Sequence, residues 1–169
     1  MGVFMMGSLN GNSIRWSGPG RGAAPPPPAG RYGQDAGRAQ AVGTGIRVFV
    51  VEDEALIALD LSERLEVLGY EVCGTTTRGE TAVQRIAELR PDLVLMDVKL
   101  AGSMDGVEVA QQLRERCDVP VVFLTAYSDS QLIARASQTN AYGYLVKPFE
   151  ERELHATLQV ALARFRALR

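Results

Sequence analysis

The chain has 169 residues, 46% hydrophobic and 22% charged, with a formal net charge of −2, a composition suited to one globular domain with a buried core. The charge is unevenly placed: residues 1–45 carry four Arg against one Asp, whereas residues 46–169 carry fourteen basic and nineteen acidic side chains. The larger part therefore lacks the basic stripe that direct nucleic-acid binding needs. No apolar stretch approaches the ~20 residues of a membrane span, and the start lacks the basic and apolar regions of a secretory signal. Cys73 and Cys117 have no metal-ligand spacing, so a cytoplasmic protein with reduced thiols is the expectation.

Residues 1–45 hold eleven of the 17 Gly and five of the 8 Pro, including Pro25, Pro26, Pro27 and Pro28. Few side chains there can pack, and ordering such a backbone costs more entropy than burial returns, so a disordered tail is expected. From Ile46 strands alternate with helices. Residues 46–51 form a nearly continuous apolar run, the pattern of a strand buried on both faces. A helix over 54–68 follows, with Ile57, Leu61, Leu65 and Leu68 on one face and Gly69 at its end. The spacing then predicts a short strand over 70–73, a helix over 78–89 ended by the restriction Pro91 places on Arg90, and a strand over 93–96. Next come a helix over 106–116, a strand over 119–124, a weaker helix over 130–137 and a short strand over 142–146. The last helix, 150–168, has Leu154, Leu158, Leu162 and Phe165 on one stripe, acids in its first turn and Arg164 and Arg166 near its last, matching the helix dipole. Five βα units imply an α/β fold, (βα)5: a doubly wound, five-stranded parallel sheet with helices on both faces.

Four of the apolar runs end in a reactive group: Glu52, Asp53 and Glu54 after the first, Asp97 after the third, Thr125 after the fourth and Lys147 after the fifth. As parallel strands of one sheet they would deliver these groups along a single carboxyl edge, where open α/β sheets bind ligands. A carboxylate such as Asp97 can act as a nucleophile toward phosphorus, giving an acyl phosphate. Clustered acids at Glu52, Asp53 and Asp97 repel one another unless a hard divalent cation such as Mg2+ joins them. As an alternative, Glu52 and Asp53 cap the helix that follows. Thr125 offers a donor to a phosphoryl oxygen and Lys147 a compact counter-charge. Pro148 is expected to turn the chain sharply, a cis bond being one way of aiming Lys147 inward.

In these residues and their order the chain resembles the receiver domain of two-component response regulators, over about residues 46–168. The resemblance implies a flavodoxin-like strand order of 2-1-3-4-5 and a phosphorelay function in which Asp97 accepts a phosphoryl group. It implies that Asp53, Asp97 and the Lys99 backbone carbonyl bind Mg2+, or Mn2+ in its place, with Glu52 acting through a water. It further implies that Thr125 moves toward the phosphoryl group and Lys147 pairs with it. Ala126 leaves room for phosphoryl oxygens, and Tyr144 is the aromatic that turns inward when Thr125 shifts. The implied partners are a sensor histidine kinase or histidine phosphotransfer protein. Downstream, the last helix–strand–helix face, residues 130–168, would meet a protein target or a second copy. Such a protein is a phosphoacceptor rather than a turnover enzyme. Two departures stand out: residues 98–106 lack the family's usual proline and are one residue longer before Asp105-Gly106, and Glu52 replaces the commoner Asp.

Other readings of the same residues remain. A pseudo-receiver would bind partners without phosphorylation. A phosphatase with an aspartate nucleophile would need a general acid where Lys99 stands. A flavodoxin-like cofactor binder would need a Ser/Thr/Gly-rich loop after the first strand. His155 reads as a solvated surface histidine before it reads as a phosphotransfer site, and Arg114 and Arg116 as a solvated helix face. Tyr127 is either a half-buried aromatic or a side chain that crowds water from the acyl phosphate. With 22 residues after Lys147, the expectation is a stand-alone receiver or a fragment of a longer regulator.

Overall fold

The structure, a computed structural model, describes residues 45–126, 129–139 and 141–169. The expected tail, apart from Gly45, and Tyr127 lie outside the described residues. Ten elements alternate along the chain: β1 (Arg47–Val51), α1 (Ala55–Val67), β2 (Glu71–Thr76), α2 (Gly79–Leu89), β3 (Leu93–Asp97), α3 (Gly106–Arg116), β4 (Val121–Ala126), α4 (Ser130–Ala136), β5 (Gly143–Lys147) and α5 (Glu151–Ala167), with a single 3-10 turn at Ser137–Thr139 between α4 and β5. All strand pairs are parallel and the order is β2-β1-β3-β4-β5.

Strand periodicity sorts the core into two layers. Phe49, Val51, Val94, Met96 and Phe123 face one side, where they pack on Val83 and Ile86 of α2, Val107 and Leu113 of α3, and Ala136 of α4. Val48, Val50, Leu93, Leu95, Val122 and Leu124 face the other, against Leu61 and Leu65 of α1 and Leu154, Leu158 and Leu162 of α5. Each such side chain, removed wholly from water, contributes roughly 1.5–3 kcal/mol. The central strand β3 is buried at every position. A strand this apolar leaves Asp97 as its single polar residue, at its end.

Strands β2, β3, β4 and β5 each run past the expected end. β2 runs to Thr76 rather than stopping at Cys73, because its backbone keeps pairing with β1 through Gly74, a poor strand former, and on through Thr75 and Thr76. At that point Phe49 pairs with Gly74, just past an irregularity between Val48 and Phe49. A Cβ at Gly74 would fall 2.7 Å from the Phe49 ring, so only glycine lets the ring lie there. β4 begins at Val121 and continues through Thr125 to Ala126, and β3 continues through Asp97. The reactive residues of β3 and β4 are thus held by the sheet ladder itself rather than by a loop. Among the described residues no helix is long and apolar enough to cross a membrane.

Candidate functional site

Register brings the strand ends together. Val51 pairs with Met96, Asp97 with Leu124 and Ala126 with Lys147, so β1, β3, β4 and β5 release their last residues side by side. The Lys147 ammonium closes the edge: its Nζ donates to Glu52 Oε2 at 2.7 Å and to Asp97 Oδ2 at 2.5 Å. The other oxygen of Asp97, Oδ1, accepts from the Lys99 amide at 2.9 Å. The loop that carries this amide is fixed at its far end by Gly106, whose own amide donates to the Val98 carbonyl. A Cβ at Gly106 would collide with the Asp97 carbonyl oxygen, so α3 can start this close to Asp97 only from a glycine.

Glu52 is fully buried, at 0% exposure. Burial raises its pKa first, the neighbouring Asp97 and Asp53 carboxylates raise it further, and the Lys147 ammonium opposes them; the outcome is about 7. For Lys147, burial alone would lower the pKa, but its hydrogen bonds to Asp97 and Glu52 outweigh it and the net shift is upward. The ammonium therefore stays charged. Glu52 Oε1 also accepts from the Glu54 amide at 3.2 Å, so this residue shapes the turn into α1 with one oxygen and faces Lys147 with the other. The capping alternative holds to that extent, although the residue at the helix boundary, Glu54, makes no side-chain cap.

The carboxylates of Glu52, Asp53 and Glu54 offer oxygens within 4.8 Å of one another, with Glu52 buried and the other two exposed. Asp97 joins this group through Lys147. An acid whose pKa is raised by burial and then by neighbouring carboxylates, among hard oxygen donors, fits a small dication whose charge would favour its ionised form.

The remaining expected residues lie around this centre. Thr125 is buried, and its hydroxyl donates to the Ala126 carbonyl at 3.1 Å rather than to Asp97. Tyr144 is 37% exposed, its ring stacked on Phe123 with centroids 6.0 Å apart. Pro148 follows a cis Lys147–Pro148 bond. With Ile57, Leu61, Arg64 and Phe149 it lines a cleft of about 320 Å³ beside Lys147. Arg114 and Arg116 are exposed. His155 is not simply solvated: it is half-buried, its Nδ1 is 3.3 Å from the Tyr70 hydroxyl, and Gln159 donates to the same hydroxyl at 3.1 Å.

Two side chains near the site escaped the sequence reading. Asp129 is buried, accepts from the Ala126 amide and lies 3.7 Å from the Lys99 ammonium. Glu80, in the first turn of α2, accepts from both the amide and the hydroxyl of Ser103 and so braces the long loop after Asp97. Neither stands at the end of an apolar run, the one signal that marked the others.

Comparison with known proteins agrees with this geometry. Residues 48–159 match the model of the response regulator receiver domain. The transcriptional regulatory protein PdtaR of Mycobacterium tuberculosis is 44% identical over 123 residues, 72% of this chain and 59% of that protein. The DNA-binding response regulator MtrA of Mycolicibacterium paratuberculosis is 40% identical over 120 residues, 70% of this chain and 52% of that protein. The chain thus spans between about half and three fifths of these relatives' length. Among solved structures, the signal receiver domain of a modulated diguanylate cyclase from Desulfovibrio desulfuricans G20 superposes with a TM-score of 0.69 at 39% identity, covering 73% of this chain and 98% of that one.

Proposed function

The chain belongs to the response regulator receiver domain family, and from that premise we propose that it is a phosphorylation-controlled switch in which Asp97 takes a phosphoryl group from a phosphohistidine. The donor is a sensor histidine kinase or a histidine phosphotransfer protein. The single observation that carries the reading is the Lys147 ammonium, shared between Glu52 and Asp97 at a buried sheet edge. A structural ion pair needs one carboxylate; a second, with burial and then the neighbouring carboxylates raising the Glu52 pKa to about 7, marks a site made to receive a further charged group.

In the transfer, a carboxylate oxygen of Asp97 bonds to phosphorus as the phosphorus–nitrogen bond breaks, and the imidazole nitrogen keeps the electron pair. The Lys147 ammonium and the Lys99 amide, which hold the carboxylate at rest, then follow the charge onto the phosphoryl oxygens. Asp53, Asp97 and the Lys99 carbonyl, with Glu52 through water, would hold Mg2+ or Mn2+, which supplies neutralisation of the charge between carboxylates and phosphoryl group. The Thr125 hydroxyl leaves the Ala126 carbonyl for a phosphoryl oxygen, and Tyr144 turns from its exposed position into the space vacated. These shifts bias the face made by α4, β5 and α5 toward binding a protein partner or a second copy, as a population shift between two states. The protein is set by phosphorylation and reset when water attacks the phosphorus, releasing inorganic phosphate and restoring the Asp97 carboxylate, rather than turning over a substrate.

The test is intact-protein mass after incubation with acetyl phosphate and Mg2+. One phosphoryl group is expected on the wild type, lost with chelator and absent from Asp97→Asn. An unchanged wild-type mass, or a gain that survives Asp97→Asn, removes the proposal.

A further inference from the structure

Asp129 is the buried carboxylate that the switch described above does not use. It sits at the boundary residue before α4, where an Asp ordinarily turns its side chain forward onto the free amides of the helix's first turn. Here it turns backward. Its Oδ2 accepts from the Ala126 amide at 3.1 Å, its own amide donates to the Ala126 carbonyl at 3.1 Å, and its Oδ1 lies 3.7 Å from the Lys99 ammonium. No side-chain cap closes α4. The residue is 7% exposed, so this anion is held inside the protein and not displayed on a flexible tip.

The groups that hold it belong to the phosphoryl edge. Ala126 is the last residue of β4 and pairs with Lys147 of β5, the lysine that grips Asp97. Lys99 is bound to Asp97 by its backbone and faces Asp129 with its ammonium. At rest a carboxylate therefore occupies the amide at the end of β4 and faces the exposed ammonium of Lys99, the residue whose own amide holds Asp97. Phosphorylation of Asp97 would add about two negative charges there. Like charges in a buried setting repel strongly, and a phosphoryl oxygen is the better acceptor for a backbone amide and an ammonium.

Resting on the receiver reading, we propose that Asp129 is a resident counter-anion of the phosphoryl site, holding the Ala126 amide until the phosphoryl group of Asp97 displaces it. Once displaced, Asp129 turns onto the first-turn amides of α4, those of Gln131 and Leu132, and caps the helix. The same carboxylate thus opposes phosphorylation at rest and stabilises α4 afterwards. This couples the site to α4 directly, in parallel with Thr125 and Tyr144. The Arg135–Asp105 ion pair, 2.7 Å long, ties the α4 side chain to the start of α3 and leaves the N-terminal turn as the part free to respond.

Two variants test it in the full chain: Asp129→Ala removes the acceptor, and Asp129→Asn keeps the shape without the charge and serves should the alanine variant fail to fold. Without Mg2+ or phosphodonor, amide hydrogen exchange at Ala126 should quicken roughly tenfold in Asp129→Ala. With Mg2+ and a titration of acetyl phosphate, both variants should reach half phosphorylation at a donor concentration roughly five- to tenfold lower than the wild type. The amides of Gln131 and Leu132 should gain protection on phosphorylation of the wild type and not of Asp129→Ala. Unchanged exchange at Ala126, or variants that match the wild type in donor dependence and in α4 protection, overturns the role of Asp129 while leaving the receiver reading in place. A wild type that takes no phosphoryl group overturns both.

Discussion

Helices α3 and α4 follow adjacent strands, β3 and β4, and each is entered through an aspartate, yet they are built to opposite standards. α3 has eleven residues, five of them buried, and Asp105 closes it with a reciprocal capping box: the Glu108 amide donates to Asp105 at 2.9 Å and the Asp105 amide to Glu108 at 2.8 Å. α4 has seven residues, one buried, and no side-chain cap. The difference separates a firmly built platform from a lightly held helix. α3 fixes the loop that presents the Lys99 amide to Asp97, and any slack there would shift that hydrogen bond. α4 is held by little apolar burial, the mark of a segment that opens at low free energy and can answer a local change of charge.

The largest effect should come from disturbing the platform. Gly106→Ala forces a Cβ into the Asp97 carbonyl and against Met96, and should destabilise the fold by about 3 kcal/mol in a denaturant titration. A variant as stable as the wild type would show that α3 has room to move.

The buried acid just past the end of β1 gives the next effect. The Glu52 pKa is raised from its ordinary value of 4.5 to about 7, so the folded state keeps a proton that the unfolded chain releases. That contribution to stability is complete below about pH 4.5 and is lost as pH climbs through 7. Metal-free protein should therefore be less stable at pH 8 than at pH 5 by something on the order of 2 kcal/mol. Mg2+ should reverse the trend by favouring the carboxylate. Stability that rises with pH in chelator would place Glu52 among ordinary paired acids.

The smallest effects lie at the helix starts. Asp105→Ala, which removes the α3 cap and the partner of Arg135, should reduce stability by about 1 kcal/mol. Arg135→Ala, which breaks only the exposed ion pair to Asp105, should change it by less than about 0.5 kcal/mol.

Much of this could be read before any coordinates. The five strands, the parallel sheet and its carboxyl edge follow from the alternation of strand and helix patterns, four of the strand runs ending in an acid, a hydroxyl or an ammonium. Asp97 and Lys147 were legible because a lone charge after four or five apolar residues has few reasons to be there. Asp129, by contrast, stands in a polar stretch among serines, where nothing separates it from a helix-starting residue. Glu80 likewise reads as an ordinary first-turn acid, favourable to the helix dipole, until Ser103 is seen to lie against it. His155 reads as surface because its partner, the Tyr70 hydroxyl, comes from the residue just before β2, 85 positions away.

Sequence alone determined the element order, the two-sided core and which residues reach the reactive edge, since these depend on local periodicity and on the one-dimensional placement of polar groups. The partners at that edge were decided only by tertiary structure. That Glu52 shares an ammonium 95 positions away, that the Thr125 hydroxyl rests on its neighbour's carbonyl, and that Asp129 faces back toward β4 rather than forward onto α4 are matters of register and burial. A carboxylate chooses among donors by which of them the fold leaves within reach and out of water, and no property of the residue or its neighbours in the chain encodes that choice.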